Sequence, residues 1–70
     1  MNPKFPSLSS REVIRLLHEH GFQEDRQKGS HKVFYHPNDG RRVTVPAGRK
    51  DIPIGTLKSI LKEAGIDVQY

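Results

Sequence analysis

No cysteine occurs among the 70 residues, so disulfide staples, thiolate nucleophiles and cysteine-based zinc sites are excluded together. Long apolar runs are missing too. Only 33% of the residues are hydrophobic, and no stretch would serve as a membrane span or the core of a signal peptide. A soluble, cytoplasmic chain with no membrane partner is therefore expected. Acidic residues are scarce in the middle of the sequence. From Arg26 to Lys50 there are seven basic residues (Arg26, Lys28, Lys32, Arg41, Arg42, Arg49, Lys50) and one acid, Asp39, a net of +6, whereas the remaining 45 residues carry −2. Such segregation suits an anionic partner. Each phosphate neutralised by lysine or arginine releases counterions, while a surface built only for solubility intersperses both signs. The same charges also fit a solvated hairpin whose lysines guard a sheet edge.

A chain of this length allows one domain, residues 1–70, with 1–7 expected as a flexible N-terminal segment. No repeat, linker or low-complexity stretch divides it. In "LSSREVIRLLHEHGF" Ser9 reads as an N-cap with Glu12 completing a capping box, Leu8 and Val13 as a hydrophobic staple, and Gly21 as the stop. Val13, Leu16 and Leu17 form its apolar stripe, with Ile14 at the edge. In "IPIGTLKSILKEAGI" Pro53 marks the start of a second helix, and Ile54, Leu57, Ile60, Leu61 and Ala64 fall on one face before a glycine stop at Gly65.

Between the helices lie three short extended stretches, Phe22 to Gln27, Lys32 to His36 and Arg42 to Val45, joined by "KGS" and by the turn formers "PNDG". Loops this short require antiparallel pairing. The expected class is α+β: an α-β-β-β-α order, with a three-stranded antiparallel sheet and both helices on one face. Its other face is left open as the working surface. Alternation puts Lys32, Phe34 and His36 on one side of the middle strand and His31, Val33 and Tyr35 on the other. Phe34 is the better core anchor, which turns His31 and Tyr35 outward; a bulge at Gly29 would reverse this.

Four histidines invite a metal, but His18 and His20 are two apart on a helix, and the five-residue spacing of His31 and His36 sends them to opposite faces of a strand. No two-histidine-plus-carboxylate cluster is expected. His31 follows "KGS" among cations, and an imidazole there can take or give a proton in transesterification through an RNA 2′-hydroxyl. Gly29 admits a close backbone approach to a phosphate, and Ser30 can donate to it or orient the ring. From residue types alone, a water-facing histidine that merely opens a strand accounts for the pattern better, because no second acid or base identifies a catalytic pair.

"GF" at Gly21 and Phe22, "QKGSH" ending in His31, "VP" at Val45 and Pro46, and "GTLKSILKEAG" at Gly55 to Gly65, in that order, closely resemble the HicA toxin family. Its members are small messenger-RNA interferases paired with HicB antitoxins, and the resemblance runs from about Leu8 to Ile66. It implies a fold like the double-stranded-RNA-binding domain and a metal-independent endoribonuclease with no cofactor. It further implies His31 as catalytic residue, with Gly29 and Ser30 shaping its loop. Many members carry a second histidine just after "VP"; here Ala47, Gly48 and Arg49 stand there, so Arg49 or Lys50 must serve instead or activity is weaker. Lys28, Lys32, Arg41 and Arg42 are expected to hold phosphates of the messenger RNA, with Tyr35, Arg49 and Lys50 on the same binding surface. A HicB-type antitoxin is the expected protein partner, and the basic face could equally dock it. The rival reading is a non-catalytic RNA-binding module recognising duplex shape.

Overall fold

Ser9 is the N-cap of the first helix, as predicted. Its extended backbone (φ −84°, ψ 168°) precedes helix α1, Ser10–Glu19, and its hydroxyl accepts the Glu12 N–H at 3.2 Å while the Glu12 carboxylate accepts the Ser9 N–H at 2.9 Å. The bond from the Ser9 backbone, then that from its side chain, holds the Glu12 carboxyl below the usual carboxylate range. The computed structural model describes residues 7–67. Apart from Ser7, whose hydroxyl donates to the Asp51 carboxylate, the segment expected to be flexible lies outside them.

Strands β1 (Gln23–Lys28), β2 (His31–Tyr35) and β3 (Arg42–Pro46) follow, then helix α2 (Ile54–Ala64). Each strand is within a residue or so of its predicted place. They form one antiparallel sheet in the order β1-β2-β3. The "PNDG" turn is closed by the His36 N–H to Arg41 carbonyl bond at 2.9 Å.

Phe34 sits opposite Val43, and Lys32 opposite Val45, so these four side chains share a face. Phe34, Val43 and Val45 are buried there with Val13 and Leu17 of α1 and Leu57, Ile60, Leu61 and Ala64 of α2. Both helices therefore cover one face, as expected, and His31, Val33 and Tyr35 lie on the open one. Among the described residues the break in register falls between Glu24 and Arg26, around Asp25 of β1, and not at Gly29. β2 consequently keeps its alternation. The bulge instead separates Glu24, which faces Lys32 at 3.7 Å on the helix side, from Arg26, which pairs with Val33.

Ile54 departs from expectation. It is 53% exposed, because it occupies the first turn before α2 meets the sheet, and Ile52 fills the core in its place with its N–H bonded to the Leu8 carbonyl at 2.9 Å. Leu16 is only partly buried beside Val13 and Leu17. Gly65 (φ +71°) ends α2 in the left-handed conformation predicted for it.

Candidate active site

Two residues, Gly29 and Ser30, join β1 to β2, with Lys28 and His31 paired across the hairpin end. Gly29 has φ +58° and Ser30 does not have a positive φ, the pattern of a type II′ turn. A Cβ at Gly29 would meet nothing within 4 Å, so the backbone conformation, rather than crowding, calls for glycine. The loop is fixed on both sides: the Gln27 amide donates to the Gly29 carbonyl at 3.0 Å, and the Ala47 N–H to the Ser30 carbonyl at 2.6 Å. His31 stands between Lys28 and Pro46, exposed, with Nδ1 3.4 Å from the Ser30 hydroxyl.

The other three histidines are tied to the backbone. His18 Nδ1 lies 3.2 Å from the Phe22 carbonyl with its ring edge-on to Phe34, and His20 Nδ1 lies 3.0 Å from the Leu16 carbonyl. His36 Nε2 meets the His20 carbonyl at 3.1 Å while Nδ1 accepts the Asn38 N–H at 3.2 Å, and the ring stands edge-on to Phe22. These contacts serve the fold. Only His31 presents an imidazole without a backbone carbonyl partner among the described residues. No group of three histidine, aspartate or glutamate side chains among those residues is arranged to hold a metal ion.

The cations expected to hold phosphates separate into distinct environments. Lys28 is exposed and has no ion pair among the described residues. Lys32 is on the helix side, half-buried beside Glu24. Arg41 is bonded to Asp39 at 2.8 Å and to the Ala64 carbonyl at 2.8 Å, and lies over the Phe22 ring. That guanidinium closes the end of α2. The Asp39 carboxyl is held below its usual range, first by the Arg41 backbone N–H and also by the guanidinium. Arg42 bonds Asp25 at 2.6 Å above the Tyr35 ring, whose hydroxyl donates to Gln23 at 3.2 Å. Tyr35 and Arg42 are thus about four strand residues, roughly 13 Å, from His31. Arg49 and Lys50 follow β3, exposed, in a turn whose backbone is held from α1.

The residue that holds that turn is Ser10, which sequence reading passed over. It is buried (3% exposed); its hydroxyl donates to the Pro46 carbonyl at 2.5 Å and accepts the Arg49 N–H at 2.9 Å, and its N–H donates to the Arg49 carbonyl at 2.9 Å. A second serine after an N-cap serine carries no signal of a bond 36 residues away. It fixes the strand end opposite His31.

These features define a class: a small α-β-β-β-α domain, compatible with the double-stranded-RNA-binding fold, with an exposed imidazole at a hairpin end. No helix among the described residues is long and apolar enough to cross a membrane. The family described as HicA toxin of bacterial toxin-antitoxin matches residues 10–66, and the chain belongs to that family. Membership makes it the toxin of a toxin–antitoxin pair and implies an antitoxin partner. No curated protein matches the sequence.

Proposed function

We propose that this toxin is a metal-independent endoribonuclease of the cytoplasm that cuts messenger RNA with His31 as its catalytic residue, and that a HicB-type antitoxin neutralises it. The observation that supports this most directly is the exposed imidazole of His31, with no backbone carbonyl partner among the described residues, beside Lys28, which has no ion pair among them. A neutral imidazole takes the proton of a ribose 2′-hydroxyl as its oxygen attacks phosphorus; the bond to the 5′-oxygen breaks, leaving a 2′,3′-cyclic phosphate. A protonated imidazole gives that proton to the departing 5′-oxygen. Lys28 stabilises the charge on the phosphorane, and the Ser30 hydroxyl, 3.4 Å from Nδ1, orients the ring.

Cleavage of a long, defined RNA by the purified protein in EDTA tests this. The native chain cuts, and His31→Ala loses about 10²-fold or more while its circular dichroism is unchanged. One observation favours a second reading. His31 has no second acid or base within hydrogen-bond reach among the described residues, its one side-chain partner being Ser30. RNA bound by both proteins and cut by neither would establish a binding module without catalysis.

A further inference from the structure

Resting on the proposed ribonuclease activity, we infer that Arg42 is a platform on the open sheet face that stacks one unpaired purine of the RNA, near the bond cut at His31, and so biases where the enzyme cuts. His31 and Tyr35 both face that side, four residues apart on β2, a distance of about 13 Å. At the ~3.4 Å rise of a stacked strand this spans about four nucleotides, and fewer in an extended one.

Three strands build the platform. Gln23, Tyr35 and Arg42 lie in one row across β1, β2 and β3. From β3 the Arg42 side chain passes over the Tyr35 ring, its guanidinium carbon 5.9 Å from the ring centroid, and bonds Asp25 of β1 at 2.6 Å. The Tyr35 hydroxyl donates to Gln23 Oε1 at 3.2 Å, which fixes the ring below. Asp25 is the residue that the bulge leaves without a partner on β2, and Arg26 lies 3.8 Å from the same carboxylate oxygen. Even so, 59% of the Arg42 side chain stays exposed.

What this arrangement can bind follows from what it has already used. The Arg42 charge is matched by Asp25, so a phosphate or an acidic side chain has to compete with a carboxylate already in place. The guanidinium plane is still available. An arginine stacks through its faces while its N–H edge bonds a carboxylate, so an uncharged base gains contact without displacing Asp25. A purine offers the larger face. Contacts to Tyr35 and Asp25 also hold the side chain in advance, which lowers the entropy lost on binding. One row, made of Arg26, Val33 and Thr44, separates this platform from the row of Lys28, His31 and Pro46. A strand with its scissile phosphate at His31 therefore reaches Arg42 by crossing a single row of the open face.

The test maps the cuts made in a long, defined RNA by the native protein, Arg42→Lys and Arg42→Gln. It also measures how salt affects the binding of each to a 2′-O-methylated RNA, which cannot be cut. Native cuts should favour a purine over a pyrimidine by about 3-fold or more at one position within about four nucleotides of the bond. Lysine keeps the charge and has no plane. Both variants, their circular dichroism unchanged, should therefore bring that bias to parity and keep the native slope of log K against log salt. A merely structural Arg42 would leave the bias in place. Native cuts without such a bias, or variants that retain it, overturn the platform and leave the ribonuclease reading standing. A slope reduced by about 0.7 in Arg42→Gln and restored in Arg42→Lys, with the bias intact, assigns Arg42 to a phosphate and overturns the platform as well. Weaker binding of polyglutamate by both variants, again with the bias intact, gives the face to an acidic protein partner instead. Failure of the native protein to cut RNA overturns both readings.

Discussion

Ser10 shows how much one small side chain decides. Its hydroxyl and amide make three bonds to the segment from Pro46 to Arg49, so α1 and the end of β3 are held as a unit directly across from His31. Replacing it with alanine leaves the Arg49 N–H and the Pro46 carbonyl without that partner in a part-buried setting. Ser10→Ala is expected to cost about 1–3 kcal/mol, read as a lowered urea midpoint. His31 is the opposite kind of residue. It makes little contact with the fold, which is why its substitution is expected to affect cleavage and spare stability.

At the scale of elements, the ends are set by local hydrogen bonds to carboxylates. Glu12 at the start of α1 and Asp39 in the β2–β3 turn are both held below the usual carboxylate range, chiefly by backbone N–H groups of Ser9 and Arg41. A folded-state pKa below the unfolded one gives stability that is complete above the ordinary carboxylate range and is lost as pH falls through the lowered one. Urea midpoints across an acid series should therefore hold steady from neutrality to that range and then decline. Glu12→Gln and Asp39→Asn should each flatten part of the decline. Both groups are exposed, so high salt should weaken the contribution of their charged partners.

Across the whole molecule, Arg41 links the turn between β2 and β3 to the end of α2, 23 residues away, through its bond to the Ala64 carbonyl. Gly65 leaves room for it; an added Cβ there would run into the guanidinium. Arg41 and Lys28 thus make a contrasting pair of cations. Arg41→Gln is expected to lose about 1–2 kcal/mol of stability and keep the native salt slope for RNA. Lys28→Gln should stay within about 0.5 kcal/mol of native stability and lose about 0.7 from the slope. Denaturation and salt titration of both variants check the two halves of that statement.

The sequence by itself determined the elements, because their signals are local. The Ser9–Glu12 box, the glycine stop at Gly65, the "PNDG" turn and the alternation around Phe34 act within a few residues, and each appears in the structure as read. It also singled out His31 through the motif that surrounds it. What each basic residue does was not legible, since composition reports a net charge and says nothing of which carboxylate or carbonyl lies opposite. Only the tertiary structure set Arg41 against Ala64, Arg42 against Asp25 and Lys32 on the helix side, and brought Ser10 under Pro46. Those contacts depend on strand register, on the bulge at Asp25 and on how the helices lie across the sheet. All three arise from burial of the one core that the whole chain builds together.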